Sequence, residues 1–164
     1  TTLTTRSRRP DEKNSVDYLF VSLKNFQKMI QNDELLEWAN VYGHWYGVPK
    51  EAVKQALGKG EDTIVKVDIQ GAATIKTILP QAIFIFLIPP SMDELLIRLK
   101  WRRTESPSDL ALRLKTAEEE MKQLPLFDYV VVNWWDEIDM AASEIKAIIT
   151  AEKCRVAPWE ITLK

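Results

Sequence analysis

Seven consecutive apolar residues, Ala82-Ile-Phe-Ile-Phe-Leu-Ile88, run between Pro80 and Pro89. The run is far too short to cross a bilayer, which takes about 20 residues. Prolines at both ends cannot sit inside a helix. A run of this kind is expected of a strand buried on both faces, as in a parallel sheet covered by helices. Two further segments carry the same expectation: Thr63-Ile-Val-Lys-Val-Asp68, which ends in an acid, and Tyr129-Val-Val-Val132. Helical patterns alternate with them. One runs from Gly71 to Leu79 and is closed by Pro80. Ser91 with Glu94 forms a capping box that opens a helix to about Arg103. Ser108 starts another to about Lys122, and Asp136 to Glu152 is the last. Buried strands alternating with helices predict an α/β fold built on a parallel sheet.

The front of the chain differs. Tyr18–Val21 reads as a short strand, and Ser22 as the N-cap of a helix to about Asn32 with Phe26, Met29 and Ile30 on one face. Leu35–Tyr42 reads as strand, Gly43–Pro49 as a turn-rich connection, and Lys50–Leu57 as a helix ended by Gly58. This antiparallel, loop-rich segment, roughly residues 3–57, is expected to be an inserted lobe. The tail from Arg155 is left unassigned, with Trp159 a candidate for packing back.

The length of 164 residues suits one domain with a small lobe, and 46% hydrophobic against 28% charged residues suffices for a sizeable core. A net charge of −2 gives no general drive toward nucleic acid or anionic membrane, so anion binding must come from local clusters. One cysteine, Cys154, excludes an internal disulfide, fits a reducing compartment and, beside a single histidine, argues against zinc. No signal peptide or lipidation motif is present, so the expected location is cytoplasmic.

One such cluster is Arg6, Arg8 and Arg9, three arginines within four positions, followed by Pro10 and, later, Tyr18. Guanidinium forks suit the paired oxygens of a phosphate, and a tyrosine hydroxyl adds a neutral donor. Alone, the cluster reads rather as a solvated basic loop. Glu37 and Tyr46 downstream are what favour a site.

Eight strings now stand in one order: Thr4-Thr-Arg6 with Arg9-Pro10; Val16-Asp-Tyr-Leu-Phe-Val-Ser22; Leu35-Leu-Glu-Trp-Ala39; Tyr46-Gly47; Val67-Asp-Ile-Gln-Gly-Ala72; Ile88-Pro-Pro-Ser91; Arg102 with Thr104-Glu105; and Asp128-Tyr-Val-Val-Val-Asn133. Together they resemble the guanylate kinase family, in family order and without gaps, from Thr1 to about Glu152. The resemblance implies a three-layer P-loop kinase fold, a parallel sheet with helices on both faces, an inserted GMP-binding lobe and a helical lid. It divides the single domain into residues 1–57 (mostly GMP lobe), 58–90 (core strands and helix), 91–124 (lid helices) and 125–164 (core strand, last helix and tail). It implies an enzyme transferring a phosphoryl group from ATP to GMP, with Mg²⁺ as cofactor, GMP and ATP as partners, no nucleic acid or membrane, and a monomer or homodimer.

The same resemblance assigns residues. Arg6, Arg9, Tyr18 and Tyr46 match the cradle of the GMP phosphate. Glu37 matches the carboxylate that accepts from guanine N1–H and its amino group. Adenine offers neither donor there, and an unpaired carboxylate is the penalty that selects. Asp68 matches an acid on the guanine side. Arg98, Arg102 and Arg113 match lid arginines that neutralise the transferring phosphoryl group, although surface ion pairs with Glu94 and Glu105 account for Arg98 and Arg102 almost as well. Asn133 matches an asparagine beside the donor adenine. No metal ligand is assigned.

Departures from the family pattern sharpen the reading. No Gly-x-x-x-x-Gly-Lys-Ser/Thr occurs in the sequence. In the family that loop, its strand and its helix precede the segment equivalent to Thr2. The expectation is therefore a chain whose first strand and P-loop are missing from this sequence, leaving unpaired sheet edges. Lys66 stands where the family has the first acid of an Asp-x-Asp pair; it cannot ligate Mg²⁺ but could contact phosphate. Val48 replaces a hydroxyl residue that contacts guanine, for an expected loss of roughly 0.5–1.5 kcal/mol. Arg103 replaces a lid glycine, and Asp11 and Ser15 replace glycines of the arginine loop. The alternative function is a degenerate module that binds GMP or a phosphorylated peptide without transfer.

Overall fold

A computed structural model describes residues 1–101 and 107–156. They fall into two compact units, Thr1–Ala82 and one beginning at Ile83.

The first unit is built on a four-stranded sheet in the order β2-β1-β4-β3, from β1 (Leu3–Thr4), β2 (Leu19–Phe20), β3 (Leu35–Val41) and β4 (His44–Pro49). β1 runs parallel to β2 and antiparallel to β4, and β4 antiparallel to β3. Helix α1 (Leu23–Gln31) begins where Ser22 Oγ accepts from Asn25 N–H, as the N-cap reading expects. Beyond Asn32, Asp33 turns away in the left-handed region at φ 55°. The helix places fully buried Phe26 against Leu3 and Leu35, with Met29, Ile30 and Trp45 around them. Burying a phenylalanine this completely is worth about 1.5–3 kcal/mol.

The turn-rich connection expected over Gly43–Pro49 is instead β4. Only Tyr42 and Gly43 form the turn, both at positive φ (51° and 81°), which is the two-residue hairpin geometry that matches strand twist. Asn40 Oδ1 accepts from Gly43 N–H at 3.0 Å and fixes it. Within β4, Gly47 is required by packing, because a Cβ there would meet Leu35 Cδ1 and Phe26 Cζ at 2.9 Å each.

Helix α2 (Lys50–Gly58) ends near the expected place, but the left-handed residue is Gly60, at φ 72°. The strand expected over Thr63–Asp68 is not formed. The segment forms no regular element, no described strand pairs with it, and Ile64 is 75% exposed. A strand without a neighbour has no ladder to complete. Helix α3 (Ile69–Ile78) follows, capped by Asp68, whose Oδ1 accepts from Gly71 N–H at 2.9 Å.

In the second unit β5 (Ile85–Ile88) pairs in parallel with β6 (Tyr129–Val132), Ile85 opposite Tyr129 and Ile88 opposite Val132. The parallel pairing is the one expected. Burial on both faces is not: Leu87 and Val130 are 52% and 44% exposed and stand on opposite faces, since Leu87 pairs with Val131 and Val130 with Phe86. Before β5, Phe84 is tied to Asp128 by its N–H to Oδ2 and by its carbonyl from the Asp128 N–H, each 2.8 Å. Helices α4 (Met92–Trp101), α5 (Pro107–Met121) and α6 (Ile138–Lys153) lie close to the predicted spans. Half of the capping box at α4 forms. Ser91 Oγ accepts from Glu94 N–H, while the Glu94 carboxylate turns to Arg98. Behind β6, Tyr129 donates to buried Glu152, which Arg155 also holds. Trp159 lies outside the described residues, and among those described no helix is long and apolar enough to cross a membrane.

Candidate functional site

The two faces of the first unit's sheet do different work. Leu3, Trp38, Trp45 and Gly47 stand on the face that packs α1. Thr4, Tyr46, Ala39, Glu37 and Val48 stand on the other, Tyr46 opposite both Thr4 and Ala39, and Glu37 opposite Val48. A simple alternation would put Leu35 and Glu37 on one face. The register shifts between them, however: Leu35 pairs with Pro49 and Glu37 with Val48, so β3 carries one extra residue. This bulge leaves Leu35 against Phe26 and turns Glu37 toward α3.

There Glu37 is only 4% exposed. Its Oε2 has no hydrogen-bond partner. It abuts Gly71, where a Cβ would sit 2.7 Å from that oxygen and 2.9 Å from Val67 Cβ. Burial, and secondarily the negative charge of Asp68, pushes the Glu37 carboxyl up to about 7. A dry carboxylate with an unmet acceptor is a costly arrangement that a ligand with paired donors would relieve. Asp68 itself is engaged at the start of α3.

The phenol and guanidinium groups gather on the same unit. The Tyr18 and Tyr46 rings meet edge to face with centroids 6.1 Å apart, and Arg6 Cζ lies 5.6 Å from the Tyr18 centroid and 5.8 Å from that of Phe20. The Tyr46 hydroxyl is within hydrogen-bonding reach of the same guanidinium. Ser15, standing at a family glycine, takes φ 66°, and its N–H donates to the Tyr18 carbonyl at 2.8 Å. Asn14 Oδ1 accepts from Phe20 N–H, closing the loop onto β2.

A residue the sequence reading left out organises the arginines. Glu12 Oε1 accepts from Arg6 Nη2 at 2.6 Å, and its Oε2 from the Arg9 backbone N–H at 2.8 Å. Arg6 Nη1 also donates to the Ser7 carbonyl at 2.7 Å. The Arg6 side chain is 13% exposed, that of Arg9 55%. The bond to Glu12 is the main reason the Arg6 pKa is raised, against the opposing effect of burial. The bonds from Arg6 and from the Arg9 backbone hold Glu12 below the usual carboxylate range. The signal for it was an acid three residues after Arg9 in a loop otherwise read for its cations.

Lys66 adds a cation. Its Nζ lies 5.0 Å from the Tyr18 centroid. Thus Arg6, Tyr18, Tyr46 and Lys66 form one group and Glu37 with Asp68 another, all in the first unit, with Arg9 joined through Glu12.

In the second unit Arg98 Nη2 donates to the Asn133 carbonyl at 2.8 Å, its Nε donates to Glu94 at 3.1 Å, and its Cζ lies 5.4 Å from the Trp135 ring. The structure therefore brings Arg98 and Asn133 together, and the ion-pair reading of Arg98 is realised with Glu94. Trp135 stacks in turn on Trp101, 5.0 Å between centroids and 13° between planes. Arg113 lies half-buried on α5. Arg102, with Arg103, Thr104 and Glu105, lies outside the described residues. Among the described residues no group of three or more His, Cys, Asp or Glu could hold a metal ion.

Comparison with known proteins is consistent across this length. The family model described as guanylate kinase matches residues 1–152. The chain is 49% identical over 153 residues to the guanylate kinase of Desulfitobacterium hafniense, covering 93% of this chain and 76% of that protein. It is 47% identical over 153 residues to the guanylate kinase of Caldanaerobacter subterraneus, covering 93% and 73%. A crystal structure of guanylate kinase from Anaplasma phagocytophilum superposes with a TM-score of 0.78 at 35% identity, over 94% of this chain and 75% of that one. The mixed α/β architecture is thus that of a P-loop kinase fold, and the chain belongs to the guanylate kinase family of transferases.

Proposed function

We propose that the first unit is the GMP side of an ATP:GMP phosphotransferase. The observation that carries this is Glu37, a carboxylate buried with one oxygen unmet, on the same sheet face as Tyr46. Guanine N1–H and the amino group are two adjacent donors that suit it, whereas adenine would leave it dry and unpaired. Asp68, beside it at the head of α3, contributes to the same side. The phosphate of GMP is taken up by Arg6, Arg9, Tyr18 and Tyr46, with Glu12 holding the arginines in place beforehand. Such pre-positioning is what an in-line displacement requires, since phosphoryl transfer depends on placement and charge more than on a base.

MgATP supplies the phosphoryl group. The chain's own part there is electrostatic: Arg98, Arg102 and Arg113 neutralise charge on the moving group, and Asn133 serves the donor adenine. Lys66, standing two residues before Asp68, is unsuited to ligating Mg²⁺, and no residue of this chain is assigned to the metal. A soluble, cytoplasmic enzyme is the reading that fits.

The test is calorimetric titration with GMP and with AMP. GMP is expected to bind at least about tenfold more tightly, because a site built to pair donors rejects an analogue lacking them. Equal affinity for the two would refute the assignment of Glu37.

A further inference from the structure

We infer that Lys66 is a third cation of the GMP-phosphate pocket and contacts the phosphate oxygens directly. This rests on the GMP reading above. Three observations carry it. Lys66 Nζ and Arg6 Cζ lie 5.0 and 5.6 Å from the centroid of one ring, that of Tyr18, so the ammonium stands at the same phenol that the guanidinium does. Lys66 is exposed and has no acidic partner among the described residues, whereas Arg6 and Arg9 share Glu12. Lys66 stands two residues before Asp68, the residue whose charge acts on Glu37.

The charge balance then points to a ligand. Arg6 and Arg9 against Glu12 leave one net positive charge at the cradle. A phosphate monoester near neutral pH carries between one and two negative charges. Lys66 supplies the second positive charge. Its compact ammonium on a flexible stem can follow an oxygen without a fixed fork geometry. A cation–π contact with a partly exposed ring holds it only weakly, so little is lost when it swings to the anion. The substitution of a lysine for an acid therefore strengthens the hold on the acceptor phosphate and leaves the guanine contacts alone.

The test is calorimetry with GMP and with guanosine, at low and at physiological ionic strength, on the protein and on Lys66→Met and Lys66→Arg. Methionine keeps an apolar stem over Tyr18 and removes only the charge, and circular dichroism checks that each variant is folded. Lys66→Met is expected to weaken GMP about tenfold at low salt and less at physiological salt, because an exposed charge is screened. Guanosine affinity should be unchanged, and Lys66→Arg should recover most of the loss. GMP affinity of Lys66→Met within about twofold of the parent, or an equal loss for guanosine, would overturn the role of Lys66 while leaving the pocket in place. A parent protein that binds GMP no better than guanosine would overturn the pocket and the lysine together.

Discussion

Replacing Glu37 by glutamine separates what this residue does for the fold from what it does for the ligand. The folded chain holds the Glu37 carboxyl at about 7, against an ordinary 4.5, because the group is dry and faces Asp68. At about 1.36 kcal/mol per pH unit, that rise corresponds to about 3 kcal/mol lost on ionising Glu37 in the folded state. The sign follows from the direction. The folded pKa lies above the unfolded one, so the folded state holds the extra proton, and its contribution is complete below about pH 4.5 and lost as pH rises through about 7. Glutamine has nearly the same shape and no charge to bury. The stability of Glu37→Gln minus that of the parent is therefore expected to grow by about 3 kcal/mol between pH 4.5 and pH 8, measured by urea denaturation of the GMP-free proteins. Other carboxylates titrate in both proteins and cancel in the difference. The ligand readout moves the opposite way. Glutamine turns a donor toward one guanine donor, and GMP affinity should fall by about 1–3 kcal/mol at pH 8. Parent affinity should itself decline as pH falls below about 7, since only the carboxylate accepts twice. Parallel stability profiles for the two proteins across this range would refute the burial argument, and unchanged GMP affinity would refute the guanine assignment.

Three other substitutions probe the surroundings. Gly71→Ala places a Cβ 2.7 Å from Glu37 Oε2 and 2.9 Å from Val67 Cβ, so α3 must shift; a loss of about 1–3 kcal/mol in denaturation and a weaker GMP titration are expected. Val48→Thr puts a hydroxyl opposite Glu37 at a buried position; it should strengthen GMP by about 0.5–1.5 kcal/mol while costing about 1 kcal/mol of unliganded stability, both read by calorimetry and denaturation. Glu12→Gln should raise KM for GMP several-fold with a smaller change in kcat, because the ion pair that positions Arg6 is lost, and steady-state kinetics distinguishes the two.

Helix starts were legible because caps are local. Ser22 and Ser91 each accept from the N–H three residues on, within reach of a single turn of sequence, whereas Asp68, which does the same, reads in the sequence as the end of a strand before a helix at Gly71. β4 was not legible as strand, because its glycine was read as a turn signal when its cause is Phe26 and Leu35 pressing on Gly47 from elsewhere in the chain. Strand burial misled for a similar reason. The apolar residues of Thr63–Asp68 and of β5 state a preference for covered surroundings, while pairing and cover are properties of neighbours. In the site, Arg6, Tyr18, Tyr46 and Glu37 could be named from the resemblance, yet Glu12 could not be ranked above other loop acids without seeing both arginines reach it. The bulge that aims Glu37 away from Leu35 also leaves no mark in a simple period-two pattern.

The two polar halves of the site are kept in opposite states, and this decides where selectivity arises. Arg6 is already satisfied: Glu12, the Ser7 carbonyl and Tyr46 surround it, so a phosphate arriving there largely exchanges one anion for another. An exchange of partners contributes modest net affinity. Glu37 is not satisfied, and its buried oxygen gains its first partner only when a donor pair arrives. The cost of an unmet buried acceptor is larger than the mean worth of a hydrogen bond, so relieving it discriminates strongly between purines. The cradle therefore fixes where the acceptor phosphate sits, and the dry carboxylate fixes which base may bring it. On this division Glu12→Gln and Glu37→Gln should act almost independently, their combined effect on GMP binding close to the sum of the two, as expected for groups without a shared partner. A coupling above about 0.5 kcal/mol in that double-mutant cycle would mean that phosphate and base recognition are joined through the Tyr46 strand rather than divided across it.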